Sequence, residues 1–120
     1  MIDVERTDFV SVPVQNMERA KAFYRDTLGL SSPDWGEDWP EVESGNVSLY
    51  LVDPTRIGAE FSPNVSHIAL RVPDVAAARK RLEEAGVPFE GEILDTGVCH
   101  MAFLRDSEGN ALMLHRRYAP

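Results

Sequence analysis

Residues 67–75 read HIALRVPDV, and residues 9–17 read FVSVPVQNM. Each stretch alternates apolar and other residues like a strand and then runs into a helix start. Laid together at an offset of 67 − 9 = 58, Val10, Val12 and Val14 meet Ile68, Leu70 and Val72. Asn16 and Asp74 then coincide, and either side chain is suited to accept from an unpaired N–H at a helix start. Met17, Ala20, Tyr24 and Leu28 follow at helical spacing, as do Val75, Ala78, Leu82 and Ala85. Gly29 and Gly86 stand where a left-handed residue ends each helix. The chain says the same thing twice.

The halves also close alike. SGNVSLYLV (44–52) and EGNALMLHR (108–116) each turn through Gly-Asn into an apolar strand, at an offset of 109 − 45 = 64. Two further strands fit between helix and last strand in each half, near 30–35 and 39–44, and near 88–94 and 97–105. The reading is an α+β chain of two tandem βαβββ modules. Module one spans about 7–53, a Pro- and Gly-bearing linker covers 54–64, and module two spans about 65–118, within one domain of residues 1–120.

Alternation divides each strand into two faces. Val10, Val12 and Val14, Ile68, Leu70 and Val72, and Leu112 and Leu114 are expected under the helices. Phe9, Ser11 and Pro13, His67, Ala69 and Arg71, and Ala111, Met113 and His115 then face away. So apolar a far face asks for a cover, and two curved mixed sheets side by side would form a cup.

Bulk properties narrow the function. Twelve basic against 20 acidic residues leave a net charge of −8, which argues against a nucleic-acid partner. No apolar run approaches the ~20 residues of a membrane helix. MIDVERTDFV (1–10) lacks the apolar core of a signal peptide, and the single Cys99 leaves no internal disulfide. A cytoplasmic location is the expectation.

The repeat, the phrase ERAKAFYRDTLGL (18–30) and the turn RDSEGNALML (105–114) resemble the glyoxalase / bleomycin-resistance / extradiol-dioxygenase superfamily, the vicinal oxygen chelate proteins. The resemblance covers nearly the whole chain and implies the glyoxalase-like fold. Metal-dependent members of that family bind one divalent ion through four positions, two in each module. The resemblance carries these onto Phe9 and His67 in the first strands, and onto Leu49 and Met113 in the last, counting four residues from Gly45 and Gly109. Only His67 keeps a ligand. A hard divalent ion wants oxygen or imidazole donors, so no metal and no cofactor are expected at those positions. Pairing the last two strands so that Leu104 faces Ala111 and His100 faces His115 offers a displaced alternative, with His67, His100 and His115 binding Zn²⁺ or Fe²⁺.

Other residues admit two readings. DWGEDWPEVE (34–43) sets Trp35 and Trp39 among five carboxylates. These indoles either stack on a flat or cationic ligand or fill the interior. Arg71 either clamps a ligand carboxylate or pairs with a neighbouring acid. Cys99 and His100 are adjacent in a strand and point to opposite faces, so they form no nucleophile–base pair. No residue is assigned a catalytic role.

The leading reading is a homodimer that binds a small organic ligand, planar or cationic, in a metal-free cup, as antibiotic-binding members of the family do. Its ligand-binding residues are Phe9, Trp35, Trp39, Leu49, His67, Arg71, His100, Met113 and His115. The dimer is implied by the resemblance. The alternative is a glyoxalase-like lyase or isomerase, or a dioxygenase, with an atypical metal site or a histidine base. A third is a subunit whose cup is filled by its own side chains.

Overall fold

A computed structural model describes all of residues 1–120, which form two compact units, Met1–Phe61 and Ser62–Pro120. In the first, strand β1 (Phe9–Pro13) leads into helix α1 (Met17–Ala22), a π-helical turn (Phe23–Thr27), and strands β2 (Glu41–Glu43) and β3 (Ser48–Val52). Sheet order is β1-β3-β2, with β1 and β3 parallel and β2 antiparallel to β3. In the second unit β4 (Ile68–Arg71), α2 (Val75–Glu84), β5 (Phe89–Asp95), β6 (Cys99–Arg105) and β7 (Ala111–Arg117) give the order β4-β7-β6-β5. Here β4 and β7 are parallel and the other pairs antiparallel. The architecture is α+β.

Local chemistry explains the helix starts. The Asn16 side chain accepts from the Arg19 amide at 3.1 Å, and the Asp74 side chain accepts from the Ala77 amide at 3.0 Å. Each fills one of the donors that a helix leaves unpaired at its first turn. The end of α1 widens, with the Leu28 amide reaching back to the Phe23 carbonyl at 2.9 Å, before Gly29 turns the chain at φ 76°. That value suits a residue without a Cβ.

One expected strand is nearly missing. Of residues 30–35 only Ser31 pairs, as a single bridge to Glu43. Pro33 has no N–H to offer a ladder. Asp34 instead accepts from the Ser32 hydroxyl at 2.6 Å and the Glu41 amide at 3.0 Å, which folds the segment into turns.

The β6–β7 turn is a closed polar cluster. Asp106 Oδ1 accepts from the amides of Glu108 and Asn110 at 2.8 and 2.9 Å, and its Oδ2 from Asn110 Nδ2 at 2.8 Å. Asn110 Oδ1 accepts from the Asn64 amide at 2.8 Å, tying the start of this unit to the turn. Asn110 is fully buried; a buried polar group on this scale persists because it is hydrogen-bonded.

On the helix side, Val12, Val14, Tyr24, Val42, Leu49 and Leu51 are buried in module one. Val75, Leu82, Ala102, Leu104, Leu112 and Leu114 are buried in module two. No helix is long and apolar enough to cross a membrane.

Candidate functional site

Strand register decides what each module presents on its other face. In module one Val10 pairs with Leu49 and Val12 with Leu51, while Phe9 pairs with Ser48 and Ser11 with Tyr50. Leu49 therefore shares the helix side with the valines and is only 1% exposed. The expected placement of Leu49 on the far face is corrected: Tyr50 stands there. Ser11 opposite Tyr50 corresponds to Ala69 opposite Met113, each two residues beyond the first-strand positions Phe9 and His67. Counting from Gly-Asn misled because Val47 intervenes before β3 begins at Ser48, whereas Ala111 of β7 follows Asn110 directly.

Tyr50 is the centre of an aromatic row. The Phe9 ring meets it edge-to-face at 5.0 Å, and the Trp39 ring at 6.4 Å, with interplanar angles of 80° in both cases. Glu41 pairs with Tyr50 and Glu43 with Ser48 across β2–β3, so both carboxylates stand on this face. A cavity of about 830 Å³ is lined by Arg6, Asp8, Phe9, Glu41, Glu43 and Ser48 among others. A second, of about 390 Å³, is lined by Asp34, Glu37, Asp38, Trp39, Tyr50 and Arg56. The touching Phe9 and Tyr50 rings join the two. Arg56 sits over the Trp39 ring at 6.0 Å and bonds Asp38 at 3.3 Å. Trp35 stands apart, covered by Arg25 at 5.7 Å. Arg25 is itself bonded to Asp26 at 2.9 Å; that hydrogen bond raises the guanidinium pKa and lowers that of the carboxyl.

In module two, Ala69 pairs with Met113 and Arg71 with His115 on β4–β7. Across β6–β7, Phe103 pairs with Met113 and Met101 with His115. The His67 ring meets the Phe103 ring at 5.1 Å. His67, Arg71, Met113 and His115 thus share one face, joined by Met101 and Phe103.

His100 does not join them. It pairs with Arg116, one residue off the expected match with His115, on the side of Ala102 and Leu104. There its Nε2 lies 3.3 Å from Asp95 Oδ2 and its ring 4.7 Å from that of Tyr118. The Tyr118 hydroxyl donates to Asp95 Oδ1 at 2.7 Å. That bond, with the Gly97 amide, holds the Asp95 carboxyl below its ordinary pKa and raises that of the Tyr118 phenol. The slip has a cause: the Asp106 amide bonds the Asn110 carbonyl at 2.9 Å, closing a three-residue turn that sets Arg105 opposite Ala111. The three-histidine metal site is ruled out by this geometry, because a one-residue shift sends a side chain to the other face.

The family's metal positions do not fit an ion either. Module one offers Phe9 and Tyr50, and module two His67 and Met113. A phenyl ring has no lone pair, a thioether is soft, and a phenol is a far weaker donor to a hard divalent ion than a carboxylate. No three His, Cys, Asp or Glu side chains gather closely enough to hold a metal.

Tyr50, Phe103 and Met101 stand on these faces without a signal in the sequence, whereas Glu41 and Glu43 belong to the five carboxylates around Trp35 and Trp39. The two glutamates were accessible by parity from Trp39; the others required the register.

Known proteins share the fold and much of the sequence. An ethylmalonyl-CoA/methylmalonyl-CoA epimerase of Cereibacter sphaeroides is 33% identical over 102 residues, covering 73% of this chain and 76% of that protein. TnmS3, an antibiotic-binding protein from Streptomyces sp. CB03234, superposes with a TM-score of 0.78 at 30% identity over 98% of this chain and 100% of its own. A glyoxalase/bleomycin resistance protein from the same organism gives 0.72 at 32% identity, over 92% and 100%. Residues 6–114 match the family model of the Glyoxalase/Bleomycin resistance protein/Dioxygenase superfamily. With the repeat, the fold and these matches together, the chain belongs to that superfamily.

Proposed function

We propose that this protein binds a small, planar, cationic organic molecule without a metal, in the manner of an antibiotic-binding or sequestering protein. The observation that carries the reading is the row Phe9–Tyr50–Trp39 flanked by Glu41 and Glu43. Aromatic faces and edges stack on flat ligands and attract cations, and carboxylates on the same face complement positive charge. The similarity to TnmS3 over nearly the whole chain supports the same class. The module-two face bearing His67, Arg71, Phe103, Met113 and His115 is proposed to contact ligand as well. A homodimer in the cytoplasm completes the reading, and light scattering reports the dimer.

Tryptophan-fluorescence titration with a panel of planar cationic antibiotics tests the proposal. Saturable quenching is expected in the wild type and in Trp35→Phe, and its loss in Trp39→Phe. Absence of quenching by every compound up to its solubility limit overturns the reading.

The similarity to an epimerase favours a second reading, a metal-dependent isomerase or lyase. Metal analysis of the purified protein separates the two. Substoichiometric metal and a melting temperature indifferent to chelator are expected; a stoichiometric divalent ion would replace the binding proposal.

A further inference from the structure

The helix side of module two holds a cavity that the aromatic row does not involve. Asp95 pairs with His100 across β5–β6, and His100 with Arg116 across β6–β7, so the three make a cross-strand line. The imidazole is clamped, with Nε2 against Asp95 and its ring against Tyr118. Beside it opens a cavity of about 320 Å³ walled by Pro73, Val75, Ala76 and Ile93, at the small end of ligand pockets.

The charges here are unequally satisfied. Asp74 is engaged as the cap of α2. Asp95 accepts from Tyr118 and Gly97 and faces His100. Arg116 lines the cavity with no hydrogen bond or ion pair. The unanswered charge is therefore a guanidinium, whose planar fork matches a carboxylate in a bidentate way.

We infer that this cavity binds a small organic carboxylate with an apolar body. The carboxylate is held by Arg116, the body rests on Val75 and Ile93, and the clamped His100 forms the floor. This inference does not rest on the proposed function, since it uses neither the aromatic row nor its residues.

Titration of the full chain with sodium benzoate, followed by NMR of the His100 ring and the Tyr118 ring, tests it. Saturable shifts at both rings are expected. Benzamide, the same shape without the charge, is expected to bind at least about tenfold more weakly, as is benzoate to Arg116→Gln. Lys80→Gln, which removes a charge from the exposed surface of α2, should leave benzoate affinity unchanged. No saturable shift with benzoate, equal binding of benzamide, or undiminished binding by Arg116→Gln overturns the inference. If Arg116→Gln fails to fold, Arg116→Lys takes its place: weaker binding supports the fork, and unchanged binding overturns it.

Discussion

The Phe9 ring stands edge-on to the Tyr50 ring, centroids 5.0 Å apart, and so a first-strand residue and a last-strand residue of module one meet through π-systems. Edge-to-face pairs of this kind contribute about 0.5–1.5 kcal/mol beyond their buried area. Tyr50→Leu is therefore expected to weaken a planar cationic ligand roughly three- to tenfold. Fluorescence titration of Trp39 measures this, and a melting curve checks that the half-buried Tyr50 leaves the fold intact when replaced.

Leu49 behaves oppositely. It is 1% exposed on the helix side, whereas Phe9 is 45% exposed. Leu49→Ala should cost about 2–5 kcal/mol of stability, the range for emptying a packed aliphatic site. Phe9→Ala should cost about 1 kcal/mol, the typical size for a point change without a core cavity, and should instead reduce ligand affinity. Urea denaturation of both variants provides the comparison.

Asn110→Ala removes two side-chain hydrogen bonds at the β6–β7 turn, one to the buried Asp106 carboxylate and one from the part-buried Asn64 amide. The backbone amide survives the substitution, so two side-chain bonds are lost. At about 1–3 kcal/mol for each buried group left unpaired, a loss of roughly 3 kcal/mol is expected by chemical denaturation.

The Asp95–Tyr118 link gives a pH signature. Asp95 is more acidic folded than unfolded, chiefly because Tyr118 donates to it. Its contribution is in place above the ordinary carboxyl value of 3.8 and is lost as pH falls through the lowered one. Tyr118 is raised above its ordinary 10.0, so its contribution holds below that value and disappears as pH climbs through the raised one. Phenolate absorbance should show a late alkaline step that Tyr118→Phe abolishes and Asp95→Asn moves to lower pH. An unmoved step in Asp95→Asn refutes the assignment.

Much of this architecture is written locally in the chain. The alternation in β1 and β4, and the caps Asn16 and Asp74, depend on neighbours a few residues away, so they can be read without a partner strand. Faces of β3 and β6 are different, because they are fixed by pairing. A turn motif points Leu49 to the open face, yet β1 sets its orientation through Val10. The face of His100 depends on the hairpin register, which Asp106 and Asn110 shift by one residue through bonds no periodicity reveals. The segment 30–35 failed as a strand because Pro33 and Asp34 favour turns over a ladder.

Val47, the residue that separates the Gly45-Asn46 turn from Ser48, has a bearing on which side chains β3 presents. Shortening that connection by one residue would set the turn against the pairing with β1: a slipped β3 would exchange phenol for isobutyl on the open face, and the buried Leu49 and Leu51 oppose the slip. The length of one short connection and the chemistry of the face beyond it are thus linked, because a strand that slips by a single residue turns over its whole alternation.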